Sequence, residues 1–400
     1  MSPIAMPGPH TLAATRRVLM LGNFVIGCGV MVVGGTLNDL ARSLQVSVAV
    51  AGQLITAAAV VMAAGAPMLA VWVSGWDRRR LLAGALVWYA LGHGLCALMP
   101  DYDSLWPLRA LTMLAAAVFT PQAAAAIGHM APPQQRGRSI TTVFLGWALA
   151  SVLGMPLNAW IGETHGWRAA MAFVALLSLM AAGLVLRCMP AGIQPPGLSL
   201  RAWRGVMTHP VWMAMVGVTA LAGAGQFTVF SYFAPYFRDV VQATPGQLAL
   251  IFGWFGLWGL IGNLLLSRTV DRIGAHRAVA WLLGLIVLSM SLWPLARGLA
   301  LTLLVLVPWG LSCMASNSAQ QARLSHVAPL MAPALMALNT AAIYLGQATG
   351  AAAGGWLVAH WGYDWLHRVG LVWVIAALAL SLWAQRVCAR TPSLSEAPPG

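Results

Sequence analysis

The sequence repeats itself at a separation of 194 residues. Gly52-Gln53-Leu54 returns as Gly246-Gln247-Leu248 and Asp77-Arg78 as Asp271-Arg272, both 194 positions on, while Leu153-Gly154 returns as Leu345-Gly346 after 192. Each match is short, but three in one order and nearly one register describe a duplicated half. Such a chain folds as two like units, and its site lies where they meet.

Those halves are not made for water. Hydrophobic residues make up 60% of the chain and charged residues 8%, with a mean hydropathy of +0.78, too few charges to coat a soluble globule of this size. A helix crosses about 30 Å of hydrocarbon with about 20 apolar residues. Stretches of that kind lie near 18–37, 48–73, 81–99, 106–130, 139–161, 169–186, 211–236, 247–266, 279–296, 299–322, 333–358 and 369–385. They fall six and six around a segment, 187–209, that has no apolar run of spanning length and carries Pro190, Pro195, Pro196, Arg201 and Arg204. The expected organisation is a tail over 1–17, a bundle over 18–186, a linker over 187–209, a second bundle over 210–385 and a tail over 386–400. This is an all-α membrane protein with twelve transmembrane helices in two pseudo-symmetric six-helix bundles.

All 22 basic side chains are arginines, and 16 of them fall in the tails, the linker and the loops after even-numbered spans. Six (Arg42, Arg109, Arg168, Arg238, Arg297 and Arg368) fall on the other side. The positive-inside rule then puts both termini in the cytoplasm of a plasma (inner) membrane, and the net charge of +13 reports insertion and contact with anionic lipid. Nucleic acid is not an expected partner, because the arginines are strung along alternate loops rather than gathered on one face. Arg16-Arg17 ahead of span 1 does not read as a cleaved signal: no small-residue cleavage site follows, and eleven more spans do. The five cysteines and nine histidines have no paired spacing that would suggest a disulfide framework or a metal site. No nucleophile elbow or phosphate loop is present, so an enzyme is not expected, nor a cofactor.

Polar side chains within spans should face protein or water, because hydrocarbon leaves them unpaired. Spans 3, 6, 9 and 12 carry few and read as outer, lipid-facing helices. Span 10 stacks Ser312, Ser316 and Gln320 at four-residue spacing beside Asn317 and Gln321; span 11 has Asn339, Thr340, Tyr344 and Gln347; span 7 has Gln226, Thr228, Ser231, Tyr232 and Tyr236; spans 1 and 4 add Asn23, Thr112, Thr120 and Gln122. Gly146, Ala150 and Gly154 in span 5, and Gly346, Gly350 and Gly354 in span 11, form matching small-residue ridges. Smooth sliding between bundles and plain close packing both call for such ridges. Pro67, Pro121, Pro156 and Pro235 mark places where a helix can kink.

Several of these stretches resemble a known family. Trp76-Asp77-Arg78-Arg79-Arg80-Leu81, and Gly262-Asn263 followed by Asp271-Arg272-Ile273-Gly274, are similar to the signature loop of the major facilitator superfamily. Gly146 through Pro156 resembles its antiporter motif. Gly225-Gln226-Phe227-Thr228, Ala234-Pro235-Tyr236, Gln321-Ala322-Arg323-Leu324 and Tyr344-Leu345-Gly346-Gln347 resemble the arabinose-efflux-like branch of twelve-span drug:proton antiporters. The resemblance covers about Leu19 to Leu382. It implies the major facilitator fold, a monomer among membrane lipids, and export of a small organic solute such as a drug, sugar or nucleoside by alternating access, with protons as counter-substrate. Asp77, Arg78, Asp271 and Arg272 would be gating residues, with Asp77 capping a helix of the opposite bundle.

Two departures stand out. The branch's span 1 glutamate is replaced by Val30, and all nine acids (Asp39, Asp77, Asp101, Asp103, Glu163, Asp239, Asp271, Asp364 and Glu396) sit at span ends, in loops or in a tail. Coupling would then fall to Asp39, to His93, or to Asp77. Arg109 matches the arginine of the family's second motif and is read as facing the cavity, where it could approach Asp39 and would favour neutral or anionic solutes. The expected solute site is Asn23, Arg109, Gln122, Gln226, Tyr232, Ser316, Asn317, Gln320, Asn339 and Tyr344. An uncoupled facilitator or importer has the same fold, and a transport-dead sensor would call for a longer soluble appendage than these tails.

Overall fold

A computed structural model describes residues 9–73, 75–132, 136–194, 200–328 and 331–390. Pro195, Pro196 and Glu396 lie outside them, as does the side chain of Asp271. All regular elements among the described residues are helices. Spans 1 to 3 are α1 (Pro9–Ser43), α2 (Val48–Trp72) and α3 (Arg78–Leu98); span 4 is divided into α4 (Tyr102–Thr112) and α5 (Leu114–Met130). Span 5 runs as α6 (Arg136–Leu149), a π turn (Ala150–Gly154) and α7 (Met155–His165), and span 6 is α8 (Trp167–Cys188). A short linker helix, α9 (Leu200–Met207), leads to span 7, which is α10 (Pro210–Phe230) and α11 (Phe233–Asp239). Spans 8 to 12 are α12 (Pro245–Ile273), α13 (Ala275–Leu292), α14 (Leu299–Val327), α15 (Ala332–His360) and α16 (Asp364–Arg390). Thus α1 begins inside the stretch assigned to the tail.

Eleven of the twelve spans are apolar and long enough to cross a bilayer by hydropathy alone. The other is α15, whose 29 residues are rich in Ala and Gly and include Asn339, Thr340, Gln347 and Thr349. Small and polar residues suit its position, since it packs on α10 of its own bundle and on α2 of the other. The proline positions explain two of the three broken spans. Pro156 has no N–H for the Val152 carbonyl, and the π turn covers that residue; Pro235 likewise strips Ser231, where span 7 divides.

The bundles meet along three lines: α2 with α15, the π turn and α7 with α12, and α1 with α11. At the second, Gly253 faces the Pro156 ring, and a Cβ on Gly256 would lie 2.9 Å from Val152 Cα, so the helix axes approach closely where span 5 is unwound. The small-residue ridges do not lie on these lines. Gly146 and Gly154 face α1 at Met20, Phe24 and Cys28, while Gly346, Gly350 and Gly354 face successive turns of α10 at Ala220, Ala224 and Thr228. Close packing within each bundle, not sliding between them, is what the ridges serve. A Cβ on Gly350 would stand 2.8 Å from the Thr228 backbone nitrogen.

The linker sits against the start of the chain and the loop after span 2. Thr15 Oγ1 donates to the Cys188 carbonyl at 3.4 Å, the Arg78 amide to the Ile193 carbonyl at 3.0 Å, and Arg79 to the Leu186 carbonyl. The opposite face gathers the loops after odd-numbered spans, with Arg168 donating to Ser43 Oγ at 3.0 Å and to the Met99 carbonyl at 2.9 Å.

Candidate functional site

In the N-terminal bundle, side chains from three helices converge on backbone carbonyls of α1. Tyr89 Oη donates to Ile26 O at 2.9 Å, Asn158 Nδ2 to Cys28 O at 2.9 Å, and Arg109 Nη2 to Gly29 O at 2.6 Å. Arg109 Nη1 lies 2.8 Å from His93 Nε2, and His93 Nδ1 lies 2.9 Å from the Tyr89 carbonyl. A carbonyl only accepts and a guanidinium only donates, so the network assigns the proton to Nδ1 and leaves Nε2 as acceptor: His93 is a neutral imidazole held at both nitrogens. Glycine at 29 makes this possible, because a Cβ there would stand 2.8 Å from His93 Nε2.

Arg109 is 1% exposed. It therefore neither snorkels to head groups nor presents its charge to open space, as the cavity reading expected; it is spent on α1 and His93, and among the described residues no carboxylate pairs with it. Asp39 is engaged elsewhere, accepting from the Trp167 amide at 2.7 Å and lying 3.7 Å from Arg42. Asn23, also fully buried, donates to the Val143 carbonyl at 3.0 Å and accepts from Thr120 Oγ1 at 2.8 Å. Gln122 is buried on α5.

The C-terminal bundle holds the larger share of the expected solute set. Thr219 Oγ1 donates to Asn339 Oδ1 at 2.6 Å, and Asn339 Nδ2 donates to Asn317 Oδ1 at 3.1 Å, which joins α10, α15 and α14. Gln320 Nε2 donates to the Met215 carbonyl, and Trp309 Nε1 to Gln226 Oε1 at 3.0 Å. Ser316 turns back on its own helix, donating to Cys313 O at 3.3 Å, and Tyr344 is buried on α15. Tyr232 Oη donates to Ala351 O at 2.9 Å, and its ring packs against Gly52 of the other bundle. The polar rows are thus real clusters, though most of their hydrogen bonds stay within one bundle.

The gating loop differs from its expected arrangement. Asp77 accepts from the Arg80 amide at 3.1 Å, capping its own helix α3, and from the Gly192 amide of the linker rather than from a helix of the opposite bundle. Arg78 Nη1 donates to the carbonyls of Val73 and Trp76, each at 2.8 Å. Arg272 is exposed in the last turn of α12, where Asp271 also falls. Two loop groups titrate away from their ordinary ranges: backbone and side-chain hydrogen bonds from Ser104 hold the Asp101 carboxyl low, and burial, with the Asp239 carboxylate, pushes the Tyr363 phenol up. Tyr89, Asn158 and the pair Glu163–Arg238 escaped the sequence expectation; each is a polar residue in or beside a span, and that alone was the available signal.

The sequence matches the model of the Major Facilitator Superfamily over residues 19–332 and 218–399. It is 30% identical over 365 residues to "Inner membrane transport protein YdhP" of Escherichia coli K12, covering 91% of this chain and 93% of that protein. It is 25% identical to a "Probable sugar efflux transporter" of Pasteurella multocida, covering 91% and 90%. Among solved structures it is similar to a D-xylose-proton symporter, with a TM-score of 0.74 at 20% identity over 92% of this chain and 97% of that one. A bacterial homolog of the human lysosomal transporter Spinster, in an inward-facing and unoccupied conformation, gives 0.73 at 15% identity over 98% and 100%. Two bundles joined by a linker, their polar clusters beside the seams, and a family match spanning both halves make this chain a member of the major facilitator superfamily.

Proposed function

We propose that this chain lies in the inner membrane with its termini and linker in the cytoplasm, and exports a small neutral or anionic, sugar-like solute by alternating access in exchange for protons. The observation that carries the proposal is the donor and acceptor set of α10, α14 and α15: Gln226, Asn317, Gln320, Asn339 and Tyr344 supply amides and hydroxyls, which match hydroxyl-rich solutes. The sugar-named relative and the xylose symporter neighbour support the same class. A second reading, a proton-independent facilitator, has its own support: Val30 cannot titrate and His93 is held at both ring nitrogens.

Everted inner-membrane vesicles loaded with the protein test both. Labelled D-xylose and L-arabinose should accumulate when the lumen is acid, and an uncoupler should abolish the accumulation. Equilibration that ignores the gradient would establish the facilitator, and no movement of either sugar would overturn the solute class. Asp39→Asn and His93→Gln then test two coupling candidates, and gradient-driven transport that survives both leaves Asp77.

A further inference from the structure

At the face opposite the linker, the carboxylate of Glu163 in the last turn of α7 forms an ion pair with the guanidinium of Arg238 in α11. Glu163 belongs to the N-terminal bundle and Arg238 to the C-terminal one. The other ion pair among the described residues, Arg42 with Asp39, joins neighbours on a single helix. The Glu163 side chain is 3% exposed and that of Arg238 34%. Arg238 meets solvent through a recess of about 560 Å³ walled by both bundles, with Asn38, Arg42 and Gln45 on one side and Arg238 and Asp239 on the other. Below it the bundles touch again, where the Tyr232 ring covers Gly52 and where a Cβ on Gly355 would lie 3.3 Å from the Ala49 carbonyl.

The neighbouring charges are already committed within their own bundles. Asp39 holds the Trp167 amide and Arg42, Arg168 holds Ser43 and the Met99 carbonyl, and Asp239 accepts from Tyr363 Oη at 2.9 Å. His165, next to Glu163, faces Thr164 Oγ1 at 2.7 Å. Parting the bundles at this face therefore strands Glu163 and Arg238 without ready substitutes.

We infer that Glu163 and Arg238 are the clasp of the outer gate: their pair exists in one facing state, and its loss sets how often the outer face opens. A contact biases a two-state equilibrium only by what it contributes to one state and not the other, and a pair that spans the moving seam does this by construction. A largely desolvated pair has more to lose than an exposed one. The inference rests on the alternating-access reading, and is independent of the solute and of proton coupling.

Spin-label distances on the intact protein in nanodiscs test it, with the partly exposed Cys188, Cys313 and Cys388 replaced by serine. One label pair, at Asp103 and Val240, spans the outer face; another, at Arg80 and Arg277, spans the linker face. Glu163→Gln and Arg238→Gln should each raise the ratio of long to short outer distances about ten-fold, which corresponds to about 1.4 kcal/mol. The double variant should exceed neither, and Glu163→Asp, which keeps the charge, should fall between. Unchanged outer distances, or single effects that multiply in the double variant, would overturn the clasp. The linker-face pair should shorten as the outer pair lengthens; lengthening outside without that response would keep the clasp and overturn alternating access instead.

Discussion

Arg109 is a buried cation bonded to neutral acceptors, and the energetics of that arrangement can be tested in one cycle. Withdrawing a guanidinium from water costs several kcal/mol. Its two short bonds, 2.6 Å to Gly29 O and 2.8 Å to His93 Nε2, contribute about 1.5–3 kcal/mol each because the donor is charged. These terms nearly cancel, so the charge itself adds little to stability. Arg109→Met removes both the desolvation and the bonds, but leaves His93 Nε2 buried without a donor, at about 1–3 kcal/mol. That residual is the expected destabilisation. His93→Leu alone costs about the same, since it strips a bond from a charge that stays buried. In His93→Leu/Arg109→Met neither group is stranded, and stability should return to within about 1 kcal/mol of the parent, provided the apolar pair fills the space. Reversible chemical unfolding in mixed micelles, with all four proteins at one pH, measures the cycle. Single effects that simply add would refute the pairing. Transport is measured in all four proteins: a double variant that regains stability but not the parent's transport gives Arg109 a role beyond packing, and transport that returns with stability would reduce Arg109 to packing.

The remaining expectations concern other parts of the molecule. Asp77→Ala should remove the cap of α3 and the hold on Gly192, at about 0.5–2 kcal/mol, slowing transport without reducing the inserted protein, whereas Asp77→Asn, which can still cap, should do less; unchanged transport rates in Asp77→Ala at unchanged expression would leave Asp77 a solvated cap. Gly350→Val should abolish folded yield, whereas Gly84→Val, which meets nothing within 4 Å, should not; solubilised protein on size exclusion reads both. Burial lowers the basicity of His209, whose Nδ1 accepts from the Trp212 amide at 3.4 Å. Its folded form thus binds fewer protons than an unfolded histidine titrating near 6.5, so stability is full above that pH and declines as pH falls below it. His209→Asn keeps the cap and should flatten the unfolding midpoint between about pH 7 and 5.

The architecture could be read from hydropathy because a bilayer allows few ways of satisfying a backbone, and twelve apolar runs with arginine-rich alternate loops leave little freedom. Duplication was legible in short matches because corresponding spans, 2 with 8 and 5 with 11, carry the same residues. Partnership was not. Arg109 and Asp39 suggest an ion pair across spans 4 and 1, yet Asp39 lies at the end of α1 beside Trp167, while the arginine reaches Gly29 and Val30, more than two turns deeper. Nothing in one-dimensional spacing distinguishes a guanidinium aimed at carbonyls from one aimed at a carboxylate. The glycine ridges are ambiguous in the same way: period four marks a face of close approach, but the neighbour on that face, α1 or α10, is a property of the packed bundle.

The span 1 departure and the Glu163–Arg238 pair bear on each other. Among the described residues the only carboxylate that pairs across the bundles is not at the depth where the family's span 1 acid would sit, but at the rim, on α7. Val30 leaves the interior of the N-terminal bundle with a cation whose acceptors are an imidazole and peptide carbonyls, all from its own half, so that cluster can move as a rigid body when the halves rock. The rim pair cannot, because its members ride on opposite halves. If the pair is the clasp inferred above, charge that distinguishes one facing state from the other sits not in the membrane's interior but at its edge, where a recess of about 560 Å³ already meets one partner. Opening there exchanges a protein ion pair for hydrated ions, at a far smaller cost than exposing an unpaired carboxylate to the hydrocarbon interior.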